Sequence, residues 1–204
     1  MRDTRQQILA ASADVFSRLG YAQTTIGDIA KAAGVTRPTV YAYFSSKDEV
    51  FQTLAENVRH EFRRIQDVPA DTPPREVIRQ TLTNYLAAYV EHLGMITVIA
   101  HQAIVEPQVA ELWEGIHSDI NSRHTRFLDR LVREGNASPS VPTEMLVEAT
   151  SGIVMRFAEL IVRRPEQRDH LMEEFVALHF ALSHISDPEP EPSTVAAGDR
   201  TPAV

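Results

Sequence analysis

The side chains with the clearest binding chemistry lie close together in the N-terminal third of the chain. Hydroxyl and guanidinium groups would cover the outer faces of one short helix, at positions Arg37, Thr39, Tyr41 and Tyr43. On an exposed helix, such groups donate hydrogen bonds to base edges and phosphates. Lys47, in the first turn of the next helix, is unfavourable beside the positive helix end unless an outside anion is shared with the free amides there. This segment therefore predicts contact with DNA.

Two short helices joined by a glycine turn must position these groups. Thr25 and Asp28 have the spacing of a capping box, which predicts that the first helix begins there. Gly34 follows the last apolar position of that helix, where a left-handed cap is usual. Thr36 caps the second helix, whose first turn tolerates Pro38 because the missing amide would have no partner there. Two helices in this order form a helix-turn-helix, whose second helix enters the major groove.

The run GVTRPTVYAYFSSKDEV, residues 34–50, resembles the DNA-binding segment of the TetR family of bacterial transcription regulators. The shared features are the Gly-Val pair, the Thr-x-Tyr, the aromatic pair and the lysine after it. The resemblance covers residues 4–65 and implies base and nearby backbone contacts by Thr36, Arg37, Pro38, Thr39 and Tyr41, and phosphate contacts by Thr25, Tyr43 and Lys47. Tyr43 departs from the histidine of many members, although its hydroxyl can still donate to phosphate. Ordinary packing for the tyrosines and plain solvation for Lys47 are the alternatives.

The formal net charge of -8 is divided unevenly along the chain. Residues 1–66 carry nine Lys and Arg against seven Asp and Glu, whereas residues 67–204 carry eleven against twenty-one. The acidity thus lies outside the DNA-binding segment, whose local field governs its partners. No signal peptide is apparent and no apolar run approaches the roughly 20 residues of a membrane span. We expect a cytoplasmic protein without a membrane partner, associated with the nucleoid when it is bound to its operator.

Signatures of the common enzyme classes are missing from the sequence. There is no GxSxG, P-loop, HExxH or dinucleotide-binding GxGxxG, and no cysteine for thiol catalysis or thiolate metal sites. His117 and His124 would share a helix face and could bind metal or act as bases, but no carboxylate at fixed spacing completes a site. We interpret them as hydrogen-bonded interior histidines. We predict no enzymatic activity, no catalytic residue, no cofactor and no metal site.

The rest of the chain shows only helical periodicity, which predicts an all-α fold of about nine helices. The predicted domains are a three-helix DNA-binding domain at residues 1–48, a connecting helix at 49–66, a helical effector-binding and dimerisation domain at 67–185, and a disordered tail at 186–204. Within the body, Gly94 is predicted to end one helix, and Met95 to Val105 to form a short separate one.

Between Val77 and Leu131, aromatic residues alternate with isolated polar groups, a composition typical of a mostly apolar pocket with a few orienting donors. The family's effector pockets lie in this region. The resemblance therefore implies an effector pocket lined by Asn84, Tyr85, Tyr89, His101, Gln102, Trp113, His117, Asn121 and Phe127. A packed core with satisfied polar groups is the alternative for any one of them.

The last two predicted helices carry more apolar residues than one core-facing stripe requires. Ser151 and Gly152 would allow another helix to approach closely. The resemblance implies that these helices meet their symmetry mates in a four-helix dimer interface, to which we assign Gly152, Phe157, Phe175 and Leu182. The alternative is that both helices are internal to a monomer.

These patterns favour a DNA-binding transcriptional regulator. We expect a repressor that binds a palindromic operator as a homodimer and is released by a small, mostly apolar effector. A helical-bundle binding protein or enzyme with a secondary DNA-binding role is one alternative. A DNA-architectural protein without an effector is another.

Overall fold

The computed structural model describes residues 4–64 and 71–185, which form eight α-helices, one short 3-10 turn and no strand. The all-α prediction is confirmed. In chain order the helices are α1 (Thr4–Gln23), α2 (Ile26–Ala33), α3 (Arg37–Tyr41), α4 (Lys47–Arg64), α5 (Pro74–Ala103), α6 (Pro107–Arg133), α7 (Thr143–Arg163) and α8 (Arg168–Ser183), with the 3-10 turn Pro165–Gln167 before α8. Predictions for residues 65–70 and for the tail 186–204 lie outside the described residues.

The N-terminal helices pack around an aromatic cluster that joins α1 to α4. Phe16 and Phe51 are almost fully buried, with their ring centroids 5.6 Å apart and edge-to-face, and Tyr21 packs against both. Gly20 has a φ of 74°, which breaks the regular helix before Gln23 and lets Tyr21 turn into this cluster. Gly20 therefore introduces a kink and does not end α1.

A second aromatic cluster joins α4 to the body. Phe62, near the end of α4, makes edge-to-face contacts with Tyr85 and Tyr89 of α5 at centroid distances of 5.8 and 5.3 Å. Phe62 is fully buried and the two tyrosines nearly so. Burying three aromatic rings at one crossing fixes α4 on α5, so that the N-terminal helices are attached rigidly to the body.

The predicted helix break at Gly94 is wrong, because α5 continues through it as one 30-residue helix. A Cβ on Gly94 would lie 2.5 Å from the Oγ of Ser17 on α1 and 2.6 Å from its Cβ. The glycine therefore serves the close approach of α1 to α5 and not a left-handed cap. Gly135, by contrast, has a φ of 76° and follows the end of α6, as its position in the sequence predicts.

The body is a set of long helices in which α7 packs against α5 and α6, and α8 packs against α7 and α5. Its core is formed by apolar side chains of all four helices, including the fully buried Leu86, Leu128, Val154 and Phe175. None of the described helices has both the length and the apolar character needed to cross a membrane.

Candidate DNA-binding and effector sites

The first helix of the predicted helix-turn-helix begins at the capping box. The Thr25 hydroxyl accepts a hydrogen bond from the Asp28 N–H at 3.2 Å, and the Asp28 carboxylate accepts from the Thr25 N–H at 3.0 Å. The hydrogen bonds from Thr25 hold the pKa of Asp28 below its usual range. Gly34 closes the helix with φ 66° and ψ 29°. Since both the N–H and the O–H of Thr25 donate to Asp28, a phosphate contact by Thr25 requires a phosphate oxygen to replace this carboxylate.

The second helix, α3, buries one side and exposes the rest. Thr36 is its N-cap and accepts from the Thr39 N–H at 3.3 Å, while the two hydroxyls lie 2.8 Å apart. Val40 faces inward and is fully buried, whereas Tyr41 and Tyr43 are 55% and 42% exposed. Pro38 is also exposed. The predicted base-contacting residues of α3 are thus on an accessible surface.

Arg37 is exposed, but its guanidinium lies over the backbone of α2. A Cβ built on Gly27 would come within 2.5 Å of Nη2 and 2.9 Å of Nε of Arg37. Glycine at this position therefore leaves the space that the guanidinium occupies. The neighbouring Asp28 carboxylate feels the positive charge of Arg37, which contributes to its lowered pKa. Arg37 must swing away from α2 to reach a guanine in the major groove.

Lys47 begins α4 and is anchored to the end of α1. Its Nζ donates to the carbonyl oxygen of Tyr21 at 2.8 Å and lies 4.3 Å from the centroid of the Tyr21 ring. The Tyr21 hydroxyl in turn donates to Asp48, and burial followed by this hydrogen bond raises the pKa of Tyr21. One of the three N–H donors of Lys47 is thus engaged, which orients the ammonium at the start of α4. Sequence reasoning missed Tyr21, whose signal was an aromatic residue directly after a glycine.

Ser46 and Glu49 have the spacing of a capping box, and the start of α4 differs from that motif in one detail. The Ser46 hydroxyl accepts from the Glu49 N–H at 3.1 Å, as in that motif. The Glu49 carboxylate accepts instead from both the N–H and the hydroxyl of Ser45, each at 2.6 Å. The N–H of Ser46 is not its partner, because the carboxylate reaches one residue further back.

Three of the predicted effector-pocket residues line one cleft of about 580 Å³ between α6 and α7, namely Trp113, His117 and Asn121. His117 connects this cleft to the interior. Its Nδ1 donates to the Trp113 carbonyl at 3.0 Å, and its Nε2 accepts from the Tyr89 hydroxyl at 2.5 Å. Burial lowers the pKa of His117, which is consistent with this neutral form. Tyr89 therefore lies behind His117 and does not line the cleft itself.

Asn121 is held by two residues of α7 that the sequence analysis did not assign to the pocket. Its amide nitrogen donates to Glu148 at 3.0 Å, and its carbonyl accepts from the Ser151 hydroxyl at 2.7 Å. Tyr85 lies further in, and burial raises the pKa of its hydroxyl, which is next to that of Ser151. Within the described residues this buried hydroxyl has no hydrogen-bond partner of good geometry. Glu148 and Ser151 are thus part of the candidate site.

The other predicted pocket residues are elsewhere. Phe127 lines a separate cavity of about 130 Å³ beside His124. Gln102 is buried, but its side chain donates to Glu106. Asn84 and His101 are exposed, so their assignment to an interior lining is wrong. Asn84 lies within α5 and His101 in its last turn, and both side chains are on the solvent-facing side of the helix.

The predicted interface residues also differ in whether they are exposed or buried within one protomer. Leu182 is 38% exposed, and Gly152 is exposed with no atom of the described chain within 4 Å of a Cβ placed on it. Phe175 is fully buried and packs on Phe157 with ring centroids 5.3 Å apart. The assignment of Phe175 to an interface is therefore wrong, because its side chain fills the core between α7 and α8.

The histidine pair proposed from spacing is not formed. His117 bonds Tyr89, whereas His124 packs on His179 with ring centroids 4.8 Å apart. Among the residues that the structure describes, one exposed group brings three donors within 4.8 Å, namely Glu61, Glu91 and His92. The imidazole of His92 already bonds Glu61 at 2.8 Å.

Known proteins resemble both the DNA-binding segment and most of the remaining chain. The sequence model of the bacterial regulatory proteins of the tetR family matches residues 8–54. The transcriptional regulator EthR of Mycobacterium tuberculosis is 26% identical over 151 residues, which span 72% of this chain and 70% of EthR. TtgR of Pseudomonas putida is 27% identical over 173 residues, 80% of each chain. The chain belongs to the TetR family. It is a DNA-binding transcriptional regulator.

The TetR-family match covers the capped helices and the exposed face of α3, where the sequence pattern is local. The overall fold is also found in solved structures of lower sequence identity. A solved tetR-family regulatory protein from Rhodococcus RHA1 superposes with a TM-score of 0.78 at 17% identity, covering 92% of this chain and all of that one. The arrangement of α5 to α8 is thus shared with that solved structure.

Proposed function

We propose that the protein is a repressor that binds a palindromic operator as a homodimer and leaves it when a small, partly apolar effector binds. The observation that carries this proposal is the surface of α3, which buries Val40 and exposes its cationic, hydroxyl and aromatic side chains. In the same proposal, residues 1–48 bind DNA and residues 49–66 form the helix that connects them to the rest of the chain. Residues 67–185 bind the effector and form the dimer. We assign no catalysis to the chain.

Exposed apolar side chains on the last two helices support the dimer. Met145 and Val162 of α7 are 60% and 53% exposed, and Leu178 and Leu182 of α8 are each 38% exposed. Large apolar groups concentrated on neighbouring helices are typical of an interface core. A two-fold dimer through these helices would present two copies of α3 to half-sites about 34 to 36 Å apart, or slightly more if the DNA bends.

A contact route from the cleft to α4 supports release by an effector. Tyr89 donates to His117, which lines the cleft, and the Tyr89 ring packs on Phe62 of α4. A ligand that displaces His117 would therefore move a ring on which α4 rests. Because interfaces of packed rings have discrete arrangements, a small shift there changes the direction of α4.

A second route runs through α6. The guanidinium of Arg59 on α4 lies against Gly115 of α6, where a Cβ would come within 2.9 Å of it. Helix α6 therefore cannot slide past α4 without moving this side chain. The effector acts by favouring a spacing of the two DNA-binding heads that no longer fits successive grooves, which requires higher affinity for that state.

Titration of duplex DNA with and without effector tests the proposal against its alternatives. An operator is first selected from random duplexes, and small molecules that copurify with the protein are identified by mass spectrometry after denaturation. A repressor of this kind binds the selected inverted repeat in a salt-dependent manner and loses affinity at saturating effector. An architectural protein would bind DNA without sequence preference and without a response. A carrier or enzyme would bind the small molecule with no effect on DNA binding.

A further inference from the structure

We propose that the effector is a small organic cation with an apolar body, bound in the cleft between α6 and α7. This inference rests on the proposed function and specifies the chemical class of its ligand. Three carboxylates line the cleft, those of Glu114, Glu144 and Glu148, against a single cationic side chain, Arg126. A cleft lined by an excess of one charge raises the local concentration of the opposite charge.

The three carboxylates are not neutralised by the described part of the chain. None of them forms an ion pair with a lysine or arginine of residues 4–64 or 71–185. Glu148 accepts a hydrogen bond from the amide of Asn121, which is neutral. All three are exposed, so that each contributes modestly by itself, but their negative charges add in the field inside the cleft.

The floor of the cleft is neutral and aromatic. Because His117 donates through Nδ1 and accepts through Nε2, it stays uncharged and does not repel a cation. Trp113 lies edge-to-face on His117 at a centroid distance of 4.3 Å and lines the cleft, and an indole face attracts cations more than other aromatic rings do. The aromatic floor suits an apolar body that carries the charge.

A buried hydroxyl provides an independent sign of a ligand. Tyr85 is 3% exposed, and its hydroxyl has no well-formed hydrogen bond to any described residue. It lies beside the hydroxyls of Tyr89 and Ser151, of which Ser151 lines the cleft. A buried polar group normally has a partner. A polar atom of the bound molecule would supply one here, once Ser151 turns from Asn121.

Binding of benzyltrimethylammonium and of its uncharged carbon isostere, neopentylbenzene, tests the charge requirement. Calorimetry measures both, and Trp113 fluorescence, excited where the benzene ring does not absorb, places them in the cleft. We expect the cation to bind at least about tenfold more tightly than the isostere. Added salt should weaken the binding of the cation but not that of the isostere. Glu148→Gln should weaken cation binding by about three- to tenfold and leave the isostere unaffected. Glu173→Gln, at an exposed position of α8 outside the cleft, is the matched control.

The outcomes separate this proposal from the proposed function. Equal binding of cation and isostere, binding of neither, or an unchanged cation affinity in Glu148→Gln overturns the cationic class, even if another compound releases the operator. A loss of dimer in Glu148→Gln, seen by sedimentation with cation affinity intact, assigns the carboxylate to the interface and also overturns it. Carboxylate-dependent binding of the cation supports the proposal. If that binding leaves operator affinity unchanged, the cationic class is retained, and the proposal that a ligand in this cleft releases the operator is contradicted.

Discussion

Gly94 of α5 lies directly against Ser17 of α1, at a distance that leaves no room for a methyl group between them. A Cβ on Gly94 would stand 2.6 Å from the Ser17 Cβ and 3.7 Å from its Cα. Helix α1 braces the DNA-binding head, and α5 belongs to the body. Gly94 therefore sets the distance between the N-terminal DNA-binding helices and the C-terminal helices. The same two parts are also connected covalently through α4.

Gly94→Ala should separate α1 from α5. The added methyl meets the Oγ of Ser17, which can rotate away, and its Cβ, which cannot move without the backbone, so that the helices must shift. Overpacking of this kind costs about 1 to 3 kcal/mol of unfolding free energy. We also expect weaker operator binding, because the altered head position spoils the match to both half-sites. Chemical denaturation and duplex titration measure the two effects.

Ser17→Gly supplies the control for this crowding. It removes the two atoms that the new methyl would meet, at the usual cost of about 0.5 to 1 kcal/mol for glycine inside a helix. In a double-mutant cycle the pair should show a favourable interaction energy, and the double variant should regain operator affinity. Additive effects of the two substitutions would mean that Gly94 matters for some reason other than contact with Ser17.

Arg37 and Lys47 should differ in what they contribute to DNA binding. Arg37 is at the N-terminal end of α3, and Arg37→Ala should cost about 1 to 3 kcal/mol of discrimination between operator and random duplex. Lys47→Ala should weaken binding to all sequences alike and reduce the salt slope by about one per protomer. Lys31→Ala, at an exposed position in the last turn of α2, is the control. A selective loss of base preference in Lys47→Ala would contradict this assignment.

Leu182→Glu should separate the dimer without unfolding the protomer. The side chain is 38% exposed within one protomer, so a charge there is tolerated until a partner buries it unpaired. Sedimentation velocity at micromolar concentration should then show a monomer that keeps its helical circular dichroism. Val132→Glu introduces the same charge at a 40% exposed position of α6 and should leave the dimer intact. A wild-type protein that sediments as a monomer would refute the dimer itself.

The sequence predicted the DNA-binding head well because its signals are local. The caps of α2 and α3 depend on residues three positions apart, such as Thr25 with Asp28 and Thr36 with Thr39. Val40 of α3 and Phe44, which follows the helix, are four residues apart and both buried, as helical spacing indicates. The anchor of Lys47 on Tyr21 could not be predicted in this way, because it depends on how α1 and α4 meet.

The body was predicted less well because its contacts join distant segments. A glycine suits both a helix end and a helix crossing, and only the position of Ser17 decides between them for Gly94. Periodicity marked Phe175 as one of the many apolar residues of its helix, but did not show whether it packs on its own protomer or on a partner. Asn121 was singled out, whereas its partner Glu148 was missed because it lies on a helix that was assigned to dimerisation.

Two buried histidines make the stability of the protein sensitive to acid. His124 and His179 are 8% and 2% exposed, with their rings in contact. The Thr150 hydroxyl donates to the Leu146 carbonyl at 2.8 Å, so the His179 Nδ1 must donate to Thr150 at 3.1 Å. Within the described residues the Nε2 atoms of both rings lack a partner that would stabilise a positive charge.

Burial lowers the pKa of His124 to about 4 and, together with the neighbouring His124, that of His179 to about 3. In the unfolded chain both titrate near about 6.5, so below that pH the unfolded state binds more protons. The free energy of unfolding should therefore be unaffected by these groups above about pH 6.5. It should fall as the pH is lowered towards 4, by up to about 1.4 kcal/mol per pH unit for each histidine.

His179→Asn isolates this contribution from that of the carboxylates, which also lose stabilising contacts in acid. The amide nitrogen of asparagine can replace Nδ1 as the donor to Thr150, but it does not titrate. The variant should be less stable at neutral pH because the smaller side chain leaves a void, and its stability should depend less steeply on pH by about one bound proton. His60→Gln, at an exposed position of α4, should retain the wild-type slope. Denaturant unfolding between pH 4 and 7 decides the matter, since equal slopes for His179→Asn and the wild type would mean that His179 is already protonated in the folded protein.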